Sequence, residues 1–274
     1  MLGSTPIKGF IKFNLIRGEF MNRFRVFAWI LSLALIFVVP QIASAVGLEA
    51  AIGVWGQDPK GDLGYKGESL SIENELKYDS KTKVFGRVKV DMPLVLPNIY
   101  FMATPMKFEA DGSKDINFTF GDKTFVANVP FSSSARLDHY DIGLYYGLPF
   151  IKTATLGKFN AELGLNARII DFHAEIRQPQ TGISESKSLT IAVPMLYAAA
   201  QLKPVKLIGI EAELRGIAYS SNHYYDLIGR VKVRPIGLAF IAAGYRYEDV
   251  KIDESDVKAS MRFGGPFVEA GFEF

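Results

Sequence analysis

Three histidines, each close to an acidic residue, are the side chains of this chain best suited to acid–base chemistry. The neighbourhoods are His139 with Asp138 and Asp141, His173 with Asp171, and His223 with Asp226. A histidine beside a carboxylate can act as a general base, and it can activate a serine for hydrolysis. Adjacent residues of a strand point to opposite faces, however, so Asp138 and His139 cannot simply pair. No serine stands out as a nucleophile, and we therefore predict no catalytic residue.

Composition excludes several other kinds of site. The 274 residues include no cysteine, so disulfides, thiol catalysis and cysteine-based zinc sites are excluded. The sequence has no metal-ligand spacing, glycine-rich phosphate loop or nucleotide motif, and we expect neither a metal nor a cofactor. The net charge is +2, but residues 1–45 hold five basic residues against one acidic residue. The rest of the chain is slightly acidic, so we expect no nucleic-acid partner.

The elements that would position these side chains are strands, because the sequence after Ala45 alternates with a period of two between turn residues. The segment 159–169 shows the pattern clearly. Its outward set is Phe159, Ala161, Leu163, Leu165, Ala167 and Ile169, and its inward set is Asn160, Glu162, Gly164, Asn166 and Arg168. An apolar face for lipid and a polar face for a lumen are typical of a transmembrane barrel. The alternative is an exported soluble β-sandwich, which would not need the same apolar face on nearly every strand.

The pattern predicts an all-β fold: a transmembrane antiparallel up-and-down β-barrel of about ten strands, with eight as the alternative. An even number places both termini on the periplasmic side. The predicted strands are 46–55, 84–91, 99–109, 137–148, 159–169, 189–202, 208–219, 225–234, 239–247 and the strand that ends at Phe274. We expect Pro105 to end regular pairing. The predicted extracellular segments are 57–82, 110–135 with a hairpin around Gly121, 171–188 and 249–256.

Inward positions carry charges of both signs. The predicted lumen charge network is Arg87, Asp91, Glu211, Glu213, Arg215, Asp226, Arg230, Lys232 and Arg246. Isolated charges in a narrow, poorly hydrated interior are costly, so we expect these groups to pair and to plug the lumen. Arg230 and Lys232 should face the strand of Glu211 and Glu213 as cross-strand pairs. A polar channel is the alternative, although ten strands enclose little free space.

The last strand has an outward face of Val268, Ala270, Phe272 and Phe274. We interpret these four residues as the signal that the barrel-assembly machinery binds. The same register, continued backward, would turn Arg262 and Lys258 toward lipid. We therefore predict a bulge at residues 264–266 that interrupts the strand and turns Phe263 and Met261 outward.

Residues 1–45 have the organisation of a secretory signal peptide. An apolar run of 14 residues, Val26 to Val39, follows two arginines and precedes the small residues Ala43-Ser44-Ala45. The run is shorter than the roughly 18–20 residues that cross a bilayer. We predict cleavage after Ala45, and we interpret residues 1–20 as a mis-called start before Met21 or as an elongated n-region. Residues 46–274 then form the mature barrel.

Several short motifs stand out along the mature chain. They are Val46-Gly47-Leu48-Glu49, Gly61-Asp62-Leu63, Pro93-Leu94-Val95-Leu96-Pro97-Asn98-Ile99, Leu137-Asp138-His139-Tyr140-Asp141, Gly244-Tyr245-Arg246-Tyr247 and Gly265-Pro266-Phe267. Together, in this order, they resemble a family of proteobacterial outer-membrane β-barrel proteins of unknown function. The resemblance spans the mature chain, although Pro266 departs from the apolar residue expected in a closing strand. It implies a Gram-negative cell outer membrane location and supplies no catalytic residues.

We expect a non-enzymatic, porin-like barrel that is structural or passes small solutes and has long extracellular loops. Its expected surroundings are outer-membrane lipid and lipopolysaccharide, and a monomer is favoured. The alternative is an outer-leaflet hydrolase, a protease or a lipid A-modifying enzyme. That function would need a histidine and an acid or serine close together at the extracellular rim.

Overall fold

The computed structural model describes residues 46–93, 95–254 and 256–274, with Glu254 described for its backbone alone. The signal peptide, its cleavage after Ala45 and the start at Met21 lie outside the described residues and stay predictions.

Antiparallel strands make up most of the described chain. In order they are β1 (Gly47–Tyr65), β2 (Leu70–Ser71), β3 (Lys81–Asp91), β4 (Asn98–Thr104), β5 (Lys107–Gly112), β6 (Phe118–Phe120), β7 (Lys123–Phe125), β8 (Phe131–Gly147), β9 (Phe159–Gln178), β10 (Ile183–Val205), β11 (Ile208–Tyr219), β12 (Asn222–Ile236), β13 (Ala239–Glu254) and β14 (Val257–Glu273). One short helix, α1 (Ile151–Ala154), lies between β8 and β9. Among the described residues no helix is long and apolar enough to cross a membrane.

Ten of these strands close into a barrel: β1, β3, β4 and β8 to β14. Each pairs with the next along the chain, and β14 returns to pair with β1, which leaves no open edge at the seam. After Pro105 the wall continues as β5, which pairs with β8 above β4. Strands β6 and β7 form a separate hairpin around Gly121. The ten-strand barrel, the break at Pro105 and the hairpin are therefore confirmed.

The two ends of the barrel differ. Gly47 and Phe274 lie at the end where two connections are very short, residues 206–207 between β10 and β11 and 237–238 between β12 and β13, and where the longest connection is 148–158. The long segments before β3 and before β8 lie at the other end. Short turns beside the termini and long segments opposite are the arrangement of an outer-membrane barrel, so the termini are periplasmic and the long segments extracellular.

The outer surface near the periplasmic end is apolar. On β8, for example, Tyr140, Ile142, Leu144 and Tyr146 are exposed on one face, while Asp141, Gly143 and Tyr145 point inward. The same alternation holds on β9 and β11 to β14. A belt of exposed apolar side chains around a closed barrel is the surface that a bilayer covers, and this belt defines the membrane-spanning part.

Toward the extracellular end the alternation inverts. On β9 the outward residues become Asp171, His173, Glu175 and Arg177, while Ile170, Ala174 and Ile176 are buried inside. Beyond the bilayer the outside faces water, so the strand buries its apolar face, as in a soluble sheet. Strands β9 and β10 have 20 and 23 residues, against the roughly 9–11 that cross a bilayer.

The inversion corrects three predicted loops. Residues 57–65, most of 171–188 and 249–254 continue β1, the β9–β10 hairpin and β13. Their polar, turn-like composition belongs to strand residues whose outer face is hydrated. The prediction failed because it took an apolar outer face as the mark of a strand.

The predicted bulge at residues 264–266 is also wrong. Strand β14 runs unbroken, and its register against β1 is the same at Trp55↔Phe267 as at Asp58↔Gly264. Phe263 and Met261 are buried inside the barrel and Arg262 points outward. Arg262 does not enter lipid, because it lies opposite Lys60 and Asp249 in the hydrated extension above the apolar belt.

Candidate functional site

The lumen is filled by ionised side chains, and their centre is Asp226 on β12. Its carboxylate accepts hydrogen bonds from Arg246 at 2.8 and 3.0 Å and a further one from Arg168, and Arg215 lies 3.6 Å away. All four side chains are essentially buried. Three guanidinium groups from β9, β11 and β13 therefore share one acceptor, which ties strands on different sides of the barrel together.

Further acids satisfy the same arginines. Asp141 accepts two hydrogen bonds from Arg168, both at 2.9 Å. Glu248 lies 2.6 Å from Arg246 and 3.3 Å from Nε2 of His139. In this central cluster every acid contacts an arginine and every arginine contacts an acid, so each buried charge has at least one partner of opposite sign.

A second cluster lies nearer the periplasm and joins the two sides of the barrel seam. Arg87 on β3 donates two hydrogen bonds to Glu269 on β14, at 2.7 and 3.0 Å. Glu213 accepts from Arg215 at 2.8 Å and lies 2.9 Å from Arg230. Such forked arginine–carboxylate pairs combine strength with a fixed geometry.

At the periplasmic rim Lys232 is surrounded by three carboxylates. Its ammonium lies 2.7 Å from Glu211, 2.8 Å from Glu49 and 3.2 Å from Glu273. Arg234 also contacts Glu273. The predicted pairing of Arg230 and Lys232 with the strand of Glu211 and Glu213 is present.

Lys89 lies among three tyrosine rings. Its ammonium is 5.4 Å from the ring centre of Tyr100, 5.5 Å from that of Tyr145 and 5.8 Å from that of Tyr197. Glu162 lies 3.3 Å away. The rings pack against one another and also contact Arg215, whose guanidinium lies 4.5 Å from the ring centre of Tyr100, so cation–π contacts join Lys89 to the arginine cluster.

A layer of aromatic side chains covers the charges on the extracellular side. Trp55 is fully buried, and its ring contacts the guanidinium of Arg246 at 4.6 Å. Beyond Trp55 the rings of Phe108 and Phe263 stack at 5.7 Å. The β6–β7 hairpin adds the stacked rings of Phe118 and Phe125, and Phe118 also packs against Phe131 at the start of β8. Burial in this layer raises the pKa of Tyr78 to about 12.

The structure brings most of the predicted network together. The members that form buried ion pairs are Arg87, Glu211, Glu213, Arg215, Asp226, Arg230, Lys232 and Arg246. Asp91 instead lies exposed at the rim and accepts a hydrogen bond from Tyr145 at 3.2 Å. Val268, Ala270, Phe272 and Phe274, the predicted assembly signal, are exposed on the outer face beside β1.

Sequence reasoning left out Glu248, Glu269 and His139 from the network. Glu248 lies two residues after the inward-facing Arg246, and Glu269 lies four residues before Glu273 on the inward face of β14. The period-two alternation would therefore have predicted that both face the lumen. His139 was considered for catalysis, yet its ring is fully buried in the lumen between Leu137 and Arg246.

The three histidines do not form one site. His139 is inside the lumen, whereas His173 and His223 lie on the outer face of strands that β10 and β11 separate. His173 Nδ1 is 2.7 Å from Oγ of Ser188, and His223 Nε2 is 3.2 Å from Asp249. Among the described residues no group of three or more His, Asp or Glu side chains is arranged to hold a metal.

A cavity of about 110 Å³ lies at the periplasmic end. It is lined by Glu49, Lys89, Asp91, Glu162 and Glu213, among others. Charges of both signs line it, and several of them belong to the ion pairs described above, such as Glu49 with Lys232 and Lys89 with Glu162. It is therefore a vestibule of the charged lumen.

Comparisons with known proteins give structural likeness alone. No protein-family model matches the chain, and no curated protein matches it in sequence. The outer membrane protease OmpT from Escherichia coli is 8% identical with a TM-score of 0.47, covering 84% of this chain and 97% of that one. The translocator domain of the autotransporter NalP from Neisseria meningitidis is 11% identical with a TM-score of 0.43, covering 92% and 98%.

Ail, the attachment invasion locus protein of Yersinia pestis, is 11% identical with a TM-score of 0.34, covering 84% of this chain and 99% of that one. Likenesses this low do not bear on function. The assignment to the class of transmembrane β-barrels of the outer-membrane type rests on closure through β14 and β1, the apolar belt and the polar lumen.

Proposed function

We propose that this protein is a closed, non-conducting outer-membrane barrel that holds a rigid β-sheet extension above the cell surface. The observation that supports this is the stack of two filled layers across the lumen. Arg168, Arg215 and Asp226 have no exposed surface, and Trp55 and Phe125 are equally buried in the layer above them. An ion crossing the barrel would have to break several buried charge pairs and part an aromatic core.

The proposal also covers the protein family, the lipid contacts, the insertion route and the oligomeric state. The protein belongs to the proteobacterial outer-membrane family that its motifs resemble, acts without catalysis and contacts lipopolysaccharide around its extracellular half. The barrel-assembly machinery inserts it through the strand that ends in Phe272 and Phe274. A monomer suffices, because β14 pairs with β1 of the same chain and the seam leaves no edge for a second copy.

Liposome swelling tests the closed barrel. Vesicles that carry the protein are diluted into isotonic solutions of a small sugar, and light scattering follows their swelling. We expect the rate to equal that of protein-free vesicles, while vesicles with a 16-stranded porin swell rapidly. Swelling that slows with increasing sugar size would identify a narrow pore and contradict the proposal.

A surface hydrolase is the second candidate, and one contact favours it: the 2.7 Å distance between His173 and Ser188 on the extracellular extension. It takes second place because Asp171, the acid on the same face, accepts a hydrogen bond from Arg136 at 3.0 Å. A fluorophosphonate probe decides between the two. Labelling of Ser188 that His173→Ala abolishes would establish the hydrolase, and absence of labelling in the folded protein would remove it.

A further inference from the structure

The periplasmic turns combine basic and exposed apolar residues in a way that neither the lumen nor the closed barrel requires. Three successive turns, 148–158, 203–207 and 234–238, contain five basic residues and no acidic residue. The basic residues are Lys152, Lys158, Lys203, Lys206 and Arg234. Because β8 to β13 follow one another around the barrel, these turns form one arc of the rim.

Three of these lysines are uncompensated. Lys203 and Arg234 pair with Glu273 at the edge of the lumen. Lys152, Lys158 and Lys206 are exposed, and no described carboxylate lies within ion-pair distance of them. Their charge is therefore directed to the surroundings of the barrel.

Each of the three turns also exposes large apolar side chains. Phe150 is 83% exposed, Leu156 88% and Ile236 78%. Val205, Leu207 and Leu238 are about half exposed. These side chains continue the apolar belt past the strand ends, so the surface that they form is contiguous with the surface that lipid covers.

The first turn holds its apolar residues out at a conformational cost. Phe150 and Leu156 have φ angles of 68° and 52°, in the left-handed region that bulky residues rarely adopt. The loop is nonetheless well bonded: Thr155 Oγ1 donates to the carbonyl of Ile151 at 2.7 Å and accepts from the N–H of Phe159 at 3.1 Å. Strained backbone of this kind persists where surrounding contacts over-determine it.

We propose that this arc, residues 148–158, 203–207 and 234–238, binds anionic phospholipid of the periplasmic leaflet. The apolar tips enter the acyl boundary, and Lys152, Lys158 and Lys206 contact the headgroup phosphates. Basic residues beside apolar anchors at a membrane surface are the combination that selects anionic over zwitterionic lipid. A soluble partner would not account for the continuity of the arc with the lipid belt.

Native mass spectrometry of the full barrel in a neutral detergent tests this inference, with phosphatidylglycerol and phosphatidylcholine as probes. The test variant is K152Q/K158Q/K206Q. The matched control, K123Q/K251Q/K258Q, removes the same charge from exposed extracellular positions. We expect the wild-type protein and the control to prefer phosphatidylglycerol and the test variant to lose at least about tenfold of that preference.

Heat-modifiable migration on gels verifies that each variant is folded. Equal preference in all three proteins, or an equal loss in the control, would overturn the inference. Binding of glycerophosphoglycerol, which lacks acyl chains, as tight as that of the lipid would also overturn it, because the site would then recognise a free phosphate ester. Because the measurement does not involve permeation, it is independent of whether the barrel conducts.

Discussion

Asp226 is the acid at the centre of the arginine cluster in the lumen. One carboxylate, with no exposed surface, faces the guanidinium groups of Arg168, Arg215 and Arg246. Removing one partner of a buried charge cluster leaves the others uncompensated, and that penalty exceeds what the pairs contribute when intact.

Asp226→Asn therefore tests the cluster with little change of shape. We expect the free energy of unfolding in urea, measured in lipid vesicles, to fall by about 3–5 kcal/mol. Asp122→Asn is the control, since Asp122 pairs with Lys66 at the surface and is 74% exposed; it should cost less than about 1 kcal/mol. Similar losses for the two variants would show that the central cluster does not hold the barrel together.

At this scale the sequence predicts which side chains face the lumen but not which pairs they form. The period-two alternation along each strand predicts that Arg87, Glu213 and Arg230 face the lumen. Arg87 pairs with Glu49 on the neighbouring strand β1 and with Glu269, which lies 182 residues later. The second pair depends on the register with which β14 closes on β1. The alternation within one strand does not determine the register between two strands, so it cannot predict this pair.

The seam between β1 and β14 depends on a close approach of backbone. A Cβ at Gly265 would lie 1.7 Å from the carbonyl oxygen of Gly56 on the neighbouring strand. Gly265 therefore allows the two strands of the seam to approach closely. Pro266, beside it, does not shift the register between β1 and β14. This explains why a sequence that suggests a bulge forms a continuous strand.

Gly265→Ala should therefore destabilise the barrel by about 2 kcal/mol or more, because the seam must open to admit the methyl group. The matched control is Gly229→Ala in β12, where an added Cβ meets nothing within 4 Å. Urea midpoints in vesicles give the comparison. If Gly265→Ala were as stable as Gly229→Ala, the close approach at the seam would be refuted.

The β6–β7 hairpin is the element that covers the lumen from the extracellular side. Phe118 stacks on Phe125 at 5.1 Å and packs against Phe131 at 5.2 Å. These rings are remote from the apolar belt, so the hairpin should be able to loosen while the barrel stays folded.

Phe125→Ala removes a fully buried ring, which typically costs about 3–5 kcal/mol. We expect limited proteolysis of intact cells to cut within residues 113–130 of this variant while the barrel remains heat-modifiable. Ile116→Ala, at an exposed position in the same segment, should stay resistant. Resistance of both variants would mean that the aromatic layer does not hold the hairpin.

In the part of the chain that the structure describes, the barrel wall is one sheet with two zones of opposite polarity along the same strands. Within the membrane the apolar face is outside and charges fill the lumen; above it, the apolar face is inside, as Ile176 and Phe131 illustrate. The barrel class, the strand number and the inward charges follow from alternation in the sequence. The extension was missed because, beyond the bilayer, strands such as 171–178 have the composition of loops.

Single-channel recording in planar bilayers tests the central proposal, the closed lumen, most directly. The purified barrel is inserted at 1 M KCl, with a 16-stranded porin as a positive control for insertion, and current is recorded over ±100 mV. We expect no discrete current steps, because the layers of Asp226 and Trp55 leave no path for an ion. Reproducible steps from a single folded barrel would contradict the closed lumen and indicate a narrow pore instead.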